Sequence, residues 1–112
     1  MHDLNVGDVI VTAFPFSEGY ATKIRPAVVC AGPWTIDGFT ICWTLMITSS
    51  KRKHWPDDVE IPNVSGVGLP GASLVRPLKI ACIDTKNILQ KLGTLNTATM
   101  RTVQKNIRTH LP

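Results

Sequence analysis

FPFSEGYATKIRPAVV, residues 14–29, decides how the chain folds. An apolar run, Asp8 to Phe14, leads into it and is stopped by Pro15, as expected of a strand covered on both faces. Ser17 to Lys23 are polar and carry Gly19 as the flexible point, so they predict a loop. Arg25 to Ala31 then predict a second strand, with Gly32-Pro33 closing it. Pro26 fixes its own φ and holds Arg25 extended, which sets a guanidinium on a stiff backbone where the strand begins.

Outward from this hairpin the pattern stays that of short strands. Trp34 to Gly38 predict a turn with Asp37-Gly38 as its hairpin signal, and residues 39–48 alternate cleanly. Phe39, Ile41, Trp43, Leu45 and Ile47 share one face, on which Trp43 is expected in the core. Thr40, Cys42, Thr44, Met46 and Thr48 share the other, so Thr48 ends the strand on its more polar side. Val59 to Ile61 form a short strand and Asn63 to Gly71 a turn-rich connector. Ala72 to Asp84 read as a strand with a bend or an edge position at Pro77. A turn at Thr85-Lys86-Asn87 precedes a short strand from Ile88 to Leu92. Asn96 caps a helix whose Met100, Val103, Ile107 and Leu111 recur at helical spacing. The expected architecture is one domain over residues 1–112: mainly β, a small SH3-like antiparallel barrel with a C-terminal α-helix.

Composition narrows the function. The formal charge of +4 suits an anionic partner such as nucleic acid, and Lys51-Arg52-Lys53-His54 is the densest basic run. Cys30, Cys42 and Cys82 lie in apolar runs with no CxxC, and predict reduced, buried thiols in a cytoplasmic protein. No signal-like or membrane-length apolar segment occurs, so no membrane partner is expected. P-loop, GxSxG and HExxH motifs are absent, and the histidines and carboxylates are scattered. No cofactor and no metal are expected on that basis. What remains is Arg, Thr and Ser chemistry. Arg25 begins one strand and Thr48 ends the next, and adjacent hairpin strands would set these two side by side.

The ordered series GD, FPF, RPAVV, Ile47-Thr48-Ser49-Ser50, Trp55-Pro56-x-Asp58-Val59-x-Ile61, Gly68-Leu69-Pro70, Ser73-x-Val75-Arg76-Pro77-x-Lys79 and Lys91-Leu92-Gly93-Thr94-Leu95 resembles the PemK/MazF family of toxin endoribonucleases. The resemblance runs from Gly7 to the final helix. It implies the toxin of a bacterial toxin–antitoxin pair: a homodimer that cleaves single-stranded mRNA without metal and is neutralised by a cognate antitoxin. The products would be a 2′,3′-cyclic phosphate and a 5′-hydroxyl. It also implies that Arg25 acts on the scissile phosphate and that Thr48 contacts it, with the loop at residues 17–23 lying over the RNA. Ser49, Lys51, Arg52, Lys53 and Arg76 are the candidate RNA-binding residues, although Arg76 could equally pair with an acid.

One position departs from the pattern. Some members carry a catalytic Asp two residues after the Arg that matches Arg76, and here that position is Leu78. The burden then falls on Arg25, and the general base stays open. Two rivals share the fold: a CcdB-like gyrase-binding toxin, and a barrel that only binds nucleic acid or protein. The first relies on a Trp near the C-terminus, where this chain has Arg108 to Pro112.

Overall fold

The computed structural model describes residues 3–15 and 22–112. Six strands and one helix follow in order: β1 Asp8–Pro15, β2 Thr22–Ile36, β3 Phe39–Ser49, β4 Val59–Glu60, β5 Ser73–Asp84, β6 Ile88–Thr94 and α1 Thr97–Arg108. They form one antiparallel sheet in the order β4-β5-β3-β2-β1-β6. Single 3-10 turns at Ser65–Val67 and Thr85–Asn87 punctuate the connectors.

The sheet curls into a small barrel because its two faces bury separate cores. On one face Val9, Val28, Leu45, Ile47 and Val75 pack beneath Met100 and Val103 of α1. On the other, Ile10, Phe14, Ala27, Val29, Cys42 and Met46 meet Ile83 and Ile88. Successive residues of β1 and β2 therefore serve opposite cores, which is why these strands are apolar almost throughout. Each buried Val, Leu, Ile, Phe or Met among them contributes about 1.5–3 kcal/mol. The outer edges meet where Gly93 of β6 passes the 3-10 turn after β4. A Cβ on Gly93 would lie 3.0 Å from the Val67 Cα, so only glycine lets the two backbones approach this closely. Gly7, at φ 100°, donates to the Val29 carbonyl and accepts from the Leu95 amide. The buried Asp8 carboxylate beside it binds the Thr94 hydroxyl, the Asn5 amide and the Lys91 ammonium.

The helix begins as its sequence requires, with Asn96 Oδ1 accepting from the Thr99 amide at 2.7 Å. It ends at Arg108, so Leu111 lies beyond it and is exposed. Asp37 and Gly38, both at positive φ, form the two-residue turn that pairs Ile36 with Phe39. The bend at Pro77 is present too. Between Leu45 and Met46 the β5 partner jumps from Ile80 to Arg76, and two-residue β4 leaves the outer edge of β5 beyond Val75 unpaired.

Four expectations need correction. Gly32-Pro33 does not close β2. The strand runs on to Ile36 because register shifts near Ala31 absorb the irregular pair, with Gly32 at φ 88°. Of the predicted loop, residues 17–21 lie outside the described residues, while Thr22 and Lys23 already belong to β2. Trp43 is 47% exposed rather than core. Its face of β3 is covered only from Leu45 onward, whereas Cys42 and Thr44 on the opposite face are fully buried. Cys82 pairs in register with Trp43 on that uncovered face, so it is exposed while Cys30 and Cys42 are buried.

Candidate active site

The β2–β3 ladder sets the site. Ala27 pairs with Met46 and Val28 with Leu45. Two further residues along, the same register puts Arg25 opposite Thr48. On its other side Arg25 pairs with Thr12 of β1, whose buried hydroxyl donates to the Asn87 carbonyl at 3.1 Å. Arg25 is thus held between two strands rather than at a loose strand end, and Pro26 beside it is half-buried.

A cavity of about 350 Å³ opens here. Arg25 and Pro26 form one wall, Ile47 to Lys51 a second, and Leu69 to Ser73 the third. Hydrogen bonds fix the second and third walls. The Ser50 amide donates to the Ala72 carbonyl at 3.0 Å, the Arg52 amide to the Ser49 carbonyl at 3.1 Å, and the Ser73 hydroxyl to the Gly71 carbonyl at 2.7 Å. Thr48 is 3% exposed, and its hydroxyl has no hydrogen-bond partner among the described residues. A buried hydroxyl in that state is an open donor and acceptor at the cavity wall, and it favours a polar ligand there.

Arg25, Thr48, Ser49 and Lys51 are therefore brought together. Arg52 and Lys53 are exposed on the following loop but do not line the cavity. Arg76 departs further from the expected RNA contact. Its guanidinium is buried against Asp58, with Nη2 at 2.9 Å from Oδ2 and Nε at 3.3 Å from each carboxylate oxygen, and Nη2 also donates to the Lys53 carbonyl at 2.8 Å. The acid-pairing alternative is the one realised. Leu78 stands half-exposed in the β5 bulge, away from the cavity. His54 is exposed, its Nε2 3.3 Å from the Ser50 carbonyl.

Sequence reasoning gave no role to the third wall, Leu69 to Ser73. Its Gly68-Leu69-Pro70 was visible as a motif, but only the fold shows that it closes the cavity. No cysteine lines the cavity. Burial raises both Cys30 and Cys42 from 9.0 to about 11, which keeps them protonated near neutral pH. Among the described residues no three His, Cys, Asp or Glu side chains gather where they could hold a metal ion. Among the described residues no helix is long and apolar enough to cross a membrane.

A six-stranded antiparallel barrel closed by a C-terminal helix, with an Arg–Thr cavity at the β2–β3 ladder, defines the class. Residues 5–111 match the family described as the PemK-like, MazF-like toxin of type II toxin–antitoxin systems, and the chain belongs to that family. No curated protein matches the sequence. Among solved structures, MazF from Deinococcus radiodurans superposes with a TM-score of 0.72 at 15% identity, covering 97% of this chain and 96% of that one. An endoribonuclease in complex with its cognate antitoxin from a mycobacterial species gives 0.66 at 18% identity, covering 96% and 95%. The Mycobacterium tuberculosis toxin MazF-mt6 gives 0.66 at 15%, covering 89% and 93%. At these identities the likeness is one of fold.

Proposed function

We propose that the protein is a metal-independent endoribonuclease toxin that cleaves single-stranded mRNA by attack of the substrate's own 2′-hydroxyl. The observation that carries this reading is the cavity that Arg25 and Thr48 line together, where the buried Thr48 hydroxyl has no hydrogen-bond partner among the described residues. In that reaction the 2′-oxygen bonds to phosphorus as the bond to the 5′-oxygen breaks, leaving a 2′,3′-cyclic phosphate and a 5′-hydroxyl. Charge grows on the non-bridging oxygens, and fixed donors aimed at them lower the barrier. The Arg25 guanidinium has the planar fork that matches a phosphate. The Thr48 hydroxyl adds a donor from the facing strand. Ser49 and Lys51 lie along the path of the backbone, and Arg52 and Lys53 add salt-dependent attraction.

The structures of relatives bound to antitoxins support a cognate antitoxin as a partner of this chain, which acts in the cytoplasm as a homodimer. The deciding experiment incubates purified protein with a long RNA in excess EDTA. Discrete fragments ending in cyclic phosphate are expected. Intact RNA, or cleavage that returns only with Mg²⁺ or Mn²⁺, would overturn the reading. Light scattering at micromolar concentration should give twice the monomer mass.

A further inference from the structure

Arg76, Asp58 and Trp55 form a stack that the cleavage chemistry does not use. Val59 pairs with Val75, so the same register carries Asp58 opposite Arg76. Arg76 in turn pairs with Met46, two residues along β3 from Thr48, which pairs with Leu74. Paired residues share a face, and so do residues two apart on one strand. The Asp58–Arg76 pair therefore stands one row from Arg25 and Thr48, on the same face of the sheet, about 7 Å along the strand.

Trp55 lies on this pair. Its ring centroid is 4.3 Å from the Arg76 Cζ, and its amide donates to Asp58 Oδ2 at 2.8 Å. The ring is held from beneath by the guanidinium and at its backbone by the carboxylate, while Arg76 also fastens the Lys53 carbonyl. The two charged side chains below are only 5% and 2% exposed, yet Trp55 itself remains 39% exposed. Lys79 Nζ lies 5.6 Å from the ring centroid, and Lys51 to Lys53 lead up to it in sequence. An aromatic ring set among cations beside the cavity lined by Arg25 and Thr48 has the makings of a single-strand binding platform. The indole offers a π-face that accepts any base, and the cations track the backbone.

We propose that Trp55 is a nucleobase-stacking subsite for a nucleotide flanking the scissile phosphate, and that Arg76 is the positioning residue that holds it flat. The subsite rests on the RNA-cleaving reading of the neighbouring cavity. Arg76 then acts without touching RNA, which accounts for its burial beneath the ring.

The test uses the full-length protein and homopolymeric 2′-O-methyl oligoribonucleotides, which lack the attacking hydroxyl and cannot be cleaved. Binding to the wild type should quench tryptophan emission. The quench should persist when Trp34 and Trp43 are both changed to Phe, and vanish in Trp55→Phe with affinity largely kept. Trp55→Leu should bind about fivefold to a hundredfold more weakly. Unchanged affinity in Trp55→Leu, or a quench that survives Trp55→Phe, overturns the subsite alone. A wild type that binds through Trp55 but leaves natural RNA intact supports the subsite and overturns the cleavage reading. No binding by the wild type overturns both.

Discussion

At one end of the β2–β3 hairpin Arg25 and Thr48 line one cavity; at the other, Trp34, Ile36, Phe39 and Trp43 stand about half-exposed. Both ends belong to the same two strands, and both expose residues that a core would accept or a ligand would use. The cavity end is braced by neighbours on every side: β1 beside Arg25, β5 beside Thr48, and the connector at residues 69–73 above. The hairpin end is held by its two-residue turn, a hydroxyl pair between Thr35 and Thr40, the edge-to-face contact of Trp34 with Trp43 at 5.3 Å, and β5 pairing that reaches no further than Ile41. The contrast separates a cavity enclosed by three segments of the chain from an apolar arm that extends past its own core. Substitutions should therefore do very different things at the two ends.

The largest effect is expected where the cavity end is braced from beneath. Asp58→Ala leaves the buried Arg76 guanidinium without its carboxylate, and breaking one side of such a pair costs about 3–5 kcal/mol. Urea denaturation should show that loss. Trp43→Ser, at the hairpin end, removes a half-exposed ring and should cost far less. Equal losses from the two would mean that the arm is packed as firmly as the site.

Next comes catalysis. Arg25→Ala should lower the cleavage rate about 10²–10³-fold, the usual loss for one transition-state donor. Arg25→Lys should fail nearly as badly, since Lys keeps the charge but not the planar fork. Trp43→Ser should cut RNA at the wild-type rate. A folded Arg25→Ala protein with wild-type activity would remove the mechanism and leave a barrel that only binds. Thr48→Ala loses a single hydroxyl and should cost about tenfold, in line with a net hydrogen bond of about 0.5–1.5 kcal/mol. Thr48→Ser should keep most of the activity, because a hydroxyl remains in reach of the same oxygen.

The two ends also differ in how far they could be read in advance. Strand number, the Asp37-Gly38 turn, the bend at Pro77 and the Asn96 cap follow from local rules of alternation, turn chemistry and capping. The coarse topology brings the start of β2 and the end of β3 together, but the turn alone would set Arg25 opposite Ser50, and only the register shifts on either side of Ala31 carry it back toward Thr48. Alternation states which residues share a face but not which face is covered, and that depends on where α1 ends its contact. Trp43 was therefore expected inside and is found outside. Gly32-Pro33 has the composition of a strand end, yet Ala31 before it and Trp34 after it both pair with β3. The fate of Arg76 turned on Asp58, 18 residues away and joined to it only through the β4–β5 pairing. No local pattern carries that information.

The smallest effect concerns the cysteines, which sample the same contrast. Cys82 lies beside Trp43 on the uncovered face, while Cys30 and Cys42 are buried, each raised by desolvation to about 11. An aromatic disulfide reagent at pH 8 should titrate one thiol in the native protein and three after denaturation. Cys82→Ser should abolish the native reaction without changing RNA cleavage. The buried pair also links to stability. In the unfolded chain these thiols lose their protons near pH 9, whereas the folded protein keeps them until about 11. The folded state thus binds more protons across that window, so this contribution is fully present below pH 9 and is lost as pH rises through 11. A double Cys30→Ala, Cys42→Ala protein should show a shallower decline between pH 9 and 11 than the wild type. Two or three native thiols reacting at the rate of Cys82 would mean that the barrel opens from the hairpin end, and that the apolar arm reaches further into the core than its exposed face suggests.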